Sequence, residues 1–421
     1  MTQSSWFRTR GYLHFDQPVG YETAKKVATR PKNVATHSFF PLIRYSVKTK
    51  KIAKGSSGIV VKEKARAIAY AAHMDSHIYS YYALKLSELY EEKLKKSRID
   101  DCVLAFRPLG YSNIEFAAMA FEEIRKQSNC CAVALDVSGF FDNLDHKTVK
   151  DSWASVLDVT RLPEDHYAVY RSLTKYSAVS KNELYEKFSL SLNGSKKGLR
   201  RICSAKEFRE IVRASKLVSP NENQYGIPQG TPISAIISNI YMLEFDIAAK
   251  SMMNAMGGRY FRYCDDMLFI APVEFKDKIA GEMRKKINSI KLDLNTSKTE
   301  IRVFRRRRGI LKCDKPLQYL GFLFDGERVL IRSASLARYS QRMKRGVRLA
   351  KSTMNKRNNI RIKNGQSVKP LFKRKIYMRY SHLGRRNFIR YGLRAADLLD
   401  SKEIRDQLKP LWSRLLKEIE K

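Results

Sequence analysis

The chain has 421 residues, 43% of them hydrophobic, with 81 Lys and Arg against 42 Asp and Glu, a formal net charge of +39. That composition excludes wholesale disorder and suits one multi-lobed enzyme or about two or three domains. The charge excess goes far beyond what solubility needs and implies a polyanionic partner.

With no apolar run long enough to span a bilayer, no signal peptide at Met1–Trp6 and no lipidation motif, nucleic acid is expected rather than a membrane. The six cysteines form no Cys-x-x-Cys and the histidines no His-Glu-x-x-His, so no zinc site is expected. Reduced thiols and a cytoplasmic location are the expectation.

The first thirty residues carry no strong period. From Thr36 to Ile68 the pattern predicts short strands at His37–Ile43, Gly58–Val61 and Ala65–Ile68, with a basic loop at Lys48–Lys51 and a Gly-Ser-Ser-Gly turn at 55–58. Asp75 to Lys96 reads as a helix with Ile78, Tyr82, Leu86, Leu89 and Leu94 near one face. A capping box, Ser112-Asn113-Ile114-Glu115, opens a helix to about Lys126. Ala132–Leu135 is a predicted buried strand ending at Asp136.

Residues 150–220 mix helical pieces with a Lys/Arg/Gly/Ser loop near 193–201. The Gly- and Pro-rich run Tyr225–Pro232 cannot be regular structure and precedes a helix over about 233–252. Arg259–Ile270 predicts two strands with Asp265 and Asp266 as the tight turn between them. A helix at about 276–290, a strand at Leu292–Leu294 and a strand at Gln318–Phe324 follow. From Arg328 to Ala396 there is no Asp or Glu, and residues 301–421 carry 34 basic against 9 acidic residues. Leu336, Tyr339, Met343, Val347, Ala350 and Met354 keep helical spacing there, with Arg338, Arg342 and Arg345 as a stripe beside them. A charge run is ordinarily a solvated face; an acid-free stretch beside an apolar seam points to a helix that faces nucleic acid.

An isolated Asp-Asp is ordinarily a solvated turn. Nucleotidyl transfer, however, needs two divalent ions about 3.5–4 Å apart. Mg²⁺ takes a few carboxylates and fills its other positions with phosphate and water. Asp136 at a strand end together with Asp265 and Asp266 on a hairpin meets that need if the strands are neighbours.

At this point the chain resembles the reverse transcriptases. Asp136-Val137-Ser138-Gly139-Phe140-Phe141-Asp142 is similar to their first palm motif, Gly226–Ser234 to the second, and Tyr263-Cys264-Asp265-Asp266 to the Tyr-x-Asp-Asp box. Leu294–Thr299 resembles the motif after that, and Leu317-Gln318-Tyr319-Leu320-Gly321-Phe322 the primer grip. The resemblance runs from about 60 to 325 in family order. It implies an α+β right-hand polymerase: N-terminal extension and fingers over 1–129, palm over 130–327 with a fingers or loop excursion at 150–220, and a basic helical thumb over 328–421.

It also implies roles. Asp136, Asp265 and Asp266 would hold two Mg²⁺ ions, with the Val137 carbonyl as a further ligand. Phe141 would be the aromatic gate that selects dNTP over ribonucleotides, and Gln229 would line the nucleotide pocket. Lys298 would donate a proton to the departing pyrophosphate. Arg66 would clamp the triphosphate, a task suited to its fork of donors. Tyr319, Leu320, Gly321, Arg338, Arg342 and Arg345 would contact nucleic acid.

Ala105–Gly110 and Phe140–His146 resemble the bacterial, group II intron-related branch. No His-Asn-His nuclease tail, no Val-Thr-Gly of retrons, and no room for integrase, RNase H or protease leave a stand-alone polymerase. That is most similar to defence-associated reverse transcriptases of the second type, whose partner is a structured noncoding RNA copied into cDNA. The rival classes are an RNA-dependent RNA polymerase, disfavoured by Phe141 and Pro228-Gln229-Gly230, and a maturase-type RNA-binding protein, which need not keep the three acids.

Overall fold

The computed structural model describes residues 5–55, 58–127, 129–192 and 198–421; the side chains of 50–55 and 58–62 lie outside that description. The turn expected at 55–58 and the loop expected at 193–201 fall partly on undescribed residues.

The N-terminal stretch forms two short helices, α1 (Tyr21–Ala28) and α2 (Pro31–Ala35). Strands β1 (Leu42–Gly55) and β2 (Gly58–Tyr70) then pair antiparallel along their whole length, from Ile43↔Tyr70 to Gly55↔Gly58. The strands expected at Gly58–Val61 and Ala65–Ile68 and the basic loop at Lys48–Lys51 are thus one continuous ribbon, whereas of the strand expected at His37–Ile43 only Leu42 and Ile43 belong to it. From Arg44 to Thr49 every side chain is exposed, so the alternating Tyr45 and Val47 pack on no core and the backbone ladder defines the strand.

Helix α3 (His73–Lys96) starts after Ala72, which has no side chain able to cap it. Asp16 supplies the cap instead, accepting from the His73 and Met74 N–H groups at 2.9 Å each. Ile78, Tyr82, Leu86 and Leu94 are buried on its inner face, with Leu89 partly buried against the same core. Helix α4 (Asn113–Gln127) follows, and Glu115 reaches back to the Ser112 N–H at 2.9 Å as the capping box requires.

Strand β3 (Cys130–Asp136) is the middle of the fold. After it come α5 (His146–Val156), α6 (Glu164–Thr174), β4 (Ser177–Ser180), α7 (Lys181–Lys187), the single turn α8 (Ala205–Glu207) and β5 (Val218–Pro220). Strands β4 and β5 extend the ribbon into a sheet of order β2-β1-β4-β5. The helix expected at 233–252 is two, α9 (Ser234–Tyr241) and α10 (Leu243–Ala255), separated at Met242.

Next are β6 (Arg259–Tyr263), β7 (Asp266–Ala271), α11 (Lys276–Ser289), β8 (Glu300–Arg307) and β9 (Ile310–Cys313). The sheet order is β6-β7-β3-β8-β9, with β3 antiparallel to both neighbours. Both faces of β3 are covered: Cys131, Val133 and Leu135 belong to the core shared with α3, α9, α10 and α11, whereas Cys130 and Ala132 belong to the core shared with α4 and the C-terminal helices. The strand expected at Leu292–Leu294 is only a single bridge, Val137 to Leu294. The strand expected at Gln318–Phe324 is a hairpin, β10 (Leu317–Tyr319) and β11 (Phe322–Phe324), because Leu320 and Gly321 both adopt positive φ, 44° and 98°.

Strand β12 (Val329–Ile331) completes a small sheet and leads into α12 (Ser333–Lys363), α13 (Lys373–Tyr380), α14 (Phe388–Leu398) and α15 (Lys402–Glu420). Tyr339, Met343 and Val347 form the buried stripe of α12. The architecture is α+β, that of a right-hand polymerase. No helix among the described residues is long and apolar enough to cross a membrane.

Candidate active site

The acids meet at the end of the central sheet. Asp136, the last residue of β3, is in register with Asp266, the first of β7. In-register residues of antiparallel strands point to the same face, so the two carboxylates face one cavity. The tight turn is Cys264-Asp265 rather than the Asp pair: Tyr263 pairs with Asp266, and Cys264 takes φ 61°. The Asp265 carbonyl accepts from the Val137 N–H at 3.3 Å, which ties the turn to the end of β3. Lys298 Nζ donates to Asp136 Oδ2 at 2.5 Å, and the Asn295 N–H donates to the Asp136 carbonyl at 2.7 Å. Desolvation, then the neighbouring Asp265 and Asp136 carboxylates, raise the Asp266 pKa to about 6, against the opposing pull of Lys298 and Arg332.

A buried network supports the turn from behind. Arg262 is fully buried and grips Asp246 with two donors, Nε at 2.8 Å and Nη2 at 2.5 Å. Its Nη1 donates to Asn239 Oδ1 at 3.0 Å and to the Cys264 carbonyl at 3.2 Å. Tyr260 donates to Asp246 at 2.7 Å, and Asn239 donates to the Ala105 carbonyl at 2.9 Å. Burial would lower the Arg262 pKa, but the Asp246 carboxylate and its hydrogen bonds outweigh it and hold the guanidinium well above the ordinary arginine value. An arginine inside an apolar strand run is the sequence signal for such a network, since a buried cation demands an acid. No local pattern in the sequence identifies Asp246 as that acid.

The cavity, about 480 Å³, is lined by Asp136, Asp266, Lys298, Tyr263, Glu300 and the primer-grip resemblance Gln318–Gly321. Asn113 Nδ2 fixes the turn of that hairpin by donating to the Leu320 carbonyl at 2.8 Å. Arg332 also lines the cavity, and its backbone N–H donates to the Gly321 carbonyl at 3.2 Å. Sequence reasoning missed Arg332 and Asn113; Arg332 stands outside every motif, and Asn113 reads only as part of a cap.

The second motif is stitched to its neighbours through its backbone. The Gly226 N–H donates to the Leu144 carbonyl at 2.8 Å and the Ile227 N–H to the Phe141 carbonyl at 2.9 Å, while the Gln229 carbonyl accepts from the Ala69 N–H at 2.8 Å. Two glycines permit this approach. A Cβ on Gly226 (φ 86°) would lie 2.8 Å from the Asp142 carbonyl oxygen, and one on Gly230 (φ 115°) 2.7 Å from that of Ala69. The loop thereby links the half-buried Phe141 to β2, which carries the exposed Arg66. Phe141, Gln229 and Arg66 lie outside the lining of the 480 Å³ cavity. Arg338, Arg342 and Arg345 line a separate groove of about 1000 Å³ along α12, where Arg379 and Arg386 join them.

Among the described residues, no group of three or more acidic, His or Cys side chains forms a metal cage. The facing pair Asp136 and Asp266 still fits a hard cation that takes only a few protein carboxylates and completes its shell from substrate phosphate and water. The raised Asp266 pKa marks crowded negative charge that such a cation would relieve.

Fold and site geometry together define the class of right-hand polymerase folds. Residues 85–324 match the family described as reverse transcriptase (RNA-dependent DNA polymerase). That span exceeds half the chain, and the chain belongs to this family. No curated protein matches it.

Similar solved structures include apo telomerase from Candida tropicalis truncated from its C-terminal domain (TM-score 0.44, 11% identity, 75% of this chain and 61% of that one). Apo telomerase from Candida tropicalis is similar over 73% of this chain and 52% of that one (TM-score 0.43, 11% identity). Telomerase from Candida albicans with a TWJ fragment of telomeric RNA is similar over 94% and 66% (TM-score 0.40, 11% identity). The chain therefore spans between half and two thirds of those telomerase chains.

Proposed function

We propose that the protein copies a dedicated structured noncoding RNA into cDNA, in bacterial antiphage defence, by in-line attack of a primer 3′-hydroxyl on a dNTP. The observation that carries the chemistry is the in-register pairing of Asp136 with Asp266, facing one cavity with Lys298. The division that goes with it is N-terminal extension and fingers over 1–129, palm over 130–327 with the 150–220 fingers or loop excursion, and basic helical thumb over 328–421.

In this reading Asp136, Asp265 and Asp266, with the Val137 carbonyl, hold two Mg²⁺ ions. Magnesium, when bound, supplies activation of the primer hydroxyl and neutralisation of the triphosphate charge. Lys298, now ion-paired with Asp136, holds the proton that the leaving pyrophosphate takes up. Phe141 fills the space that a 2′-hydroxyl would need. Gln229 borders the base and sugar, and Arg66 clamps the triphosphate from the ribbon. Tyr319, Leu320 and Gly321 seat the primer end beside Asp266. Arg338, Arg342 and Arg345 hold the RNA, supported by the absence of any Asp or Glu between Arg328 and Ala396.

The test is to sequence the nucleic acid that co-purifies with the protein and the cDNA made in cells. One RNA, with cDNA mapping to its locus and lost in an Asp265→Ala variant, supports the reading. Random cellular RNA, with cDNA spread across the transcriptome, contradicts the dedicated partner.

A further inference from the structure

We propose that a second groove, between the distal half of α12 and the segment 369–376, binds an unpaired stretch of RNA away from the catalytic cavity. The inference rests on the RNA-directed reading of the chain and adds a site to it. The groove encloses about 690 Å³. Its floor and walls include Leu349, Met354, Phe372 and Ile376, and its rim carries Arg357 and Arg361 from α12 and Lys369 and Lys373 from the opposite wall.

Three properties point to a ligand. First, large apolar side chains of the groove stand open to solvent: Leu349 is 67% exposed and Phe372 61%. A soluble surface does not ordinarily gather such residues without a partner. Second, none of the four rim cations has an ion pair among the described residues, and the stretch that holds the groove contains no acid. Third, the wall is fixed in advance. Asn358 and Lys369 exchange reciprocal hydrogen bonds, Nδ2 to carbonyl and N–H to Oδ1, both at 2.9 Å, so the loop after α12 is clamped back onto the helix. A prefixed groove lowers the ordering cost of binding.

The chemistry selects an unpaired polynucleotide. Rim cations track phosphates, and an aromatic on an apolar floor offers a face on which a base can stack. A duplex would use the rim but keep its base faces hidden, leaving Leu349 and Phe372 bare. An anionic membrane would need an open amphipathic face rather than a walled trough.

Place separates this groove from the reacting centre. Arg332, just before α12, lines the catalytic cavity; Arg357 lies further along the same helix by about 37 Å at 1.5 Å per residue. The trough is nevertheless continuous with the arginine groove, because Gly346, Leu349, Arg379 and Tyr380 line both. A strand leaving the first groove has a track into the second.

The experiment uses the full chain and a short poly-uridine RNA, with an RNA–DNA hybrid duplex and phosphatidylglycerol vesicles as comparison probes. Phe372→Ala is expected to weaken poly-uridine binding by at least about 5-fold. The triple variant Arg357→Gln/Arg361→Gln/Lys373→Gln is expected to reduce the slope of log affinity against log salt by about 2, at about 0.7 for each phosphate that no longer meets a cation. Phe372, Arg357 and Lys373 are exposed and Arg361 is only half-buried, so thermal unfolding is expected to be unchanged and confirms that the variants are folded.

Poly-uridine affinity unmoved by both variants overturns the proposal. So does a loss confined to the hybrid duplex, or one confined to the vesicles. Primer extension by the wild-type chain on an RNA template is run in parallel. Its failure would count against the polymerase reading, whereas intact extension with unchanged poly-uridine binding counts only against the groove.

Discussion

Arg262→Met isolates what the buried network contributes. The substitution leaves the Asp246 carboxylate buried with Tyr260 as its remaining hydrogen-bond partner and removes the donor to the Cys264 carbonyl. Breaking one side of a fully buried ion pair costs about 3–5 kcal/mol, enough to lower the denaturation midpoint visibly. The double variant Arg262→Met/Asp246→Leu removes both charges. Replacing such a pair with apolar side chains of similar volume is often close to neutral, although Tyr260 and Asn239 then lose partners at about 1–3 kcal/mol each. Most of the midpoint is therefore expected to return.

Activity is expected not to return, because Arg262 Nη1 no longer holds the carbonyl of the residue that precedes Asp265. A misplacement of about 1 Å can cost up to about 100-fold, and the loss is expected in kcat for dNTP incorporation with little change in KM. The assay is urea unfolding alongside steady-state primer extension on an RNA template. A refolded double variant with wild-type kcat would show that the network is packing alone and that the turn needs no such support.

Phe141→Ala is expected to raise ribonucleotide incorporation relative to deoxynucleotide, measured as the ratio of the two kcat/KM values; an unmoved ratio makes Phe141 a packing residue. Neutralising Arg338, Arg342 and Arg345 together is expected to weaken RNA binding and flatten its salt dependence by about 2 to 3 in the log–log slope, which a filter-binding titration reads. Burial lowers His14 and His77 to about 4, in surroundings that include Asp16, His73 and, for His77, Arg10. Both are neutral in the fold, and the unfolded chain takes up their protons first. Their stabilisation is therefore complete above about pH 6.5 and is lost as pH falls from there toward about 4. Urea midpoints at neutral and mildly acidic pH check this, and a His14→Gln/His77→Phe variant is expected to flatten the dependence.

The buried elements of this molecule are legible in its sequence. α3 shows its core as apolar periodicity and β3, covered on both faces, as an unbroken apolar run, and Asp136 stands where that run stops. The ribbon β1–β2 reads as fragments because the side chains of Arg44–Thr49 and Glu63–Ala67 are exposed, so no packed core marks the strands there. The hairpin at Leu320-Gly321 reads as one strand because the apolar run does not break there; only the positive φ of two residues turns the chain.

At the site, the facing of Asp136 and Asp266 depends on register, and register depends on which residues of Cys264-Asp265 make the turn. The partnership of Arg262 with Asp246 and the reach of Arg332 into the cavity are tertiary facts with no local pattern behind them. The acid-free stretch announces a polyanion from composition alone. Its division into two grooves comes from the packing of α13 and the 369–376 segment against α12.

The most direct test of the central claim is template-dependent DNA synthesis by the purified protein. Wild-type chain with an RNA template, a primer, dNTPs and Mg²⁺ is expected to make DNA complementary to the template. The Asp265→Ala/Asp266→Ala variant is expected to make none while unfolding at or above the wild-type midpoint and binding RNA with wild-type affinity, because these acids sit crowded at a strand end and not in the core. Incorporation by the double variant at the wild-type rate would contradict the assignment of the site.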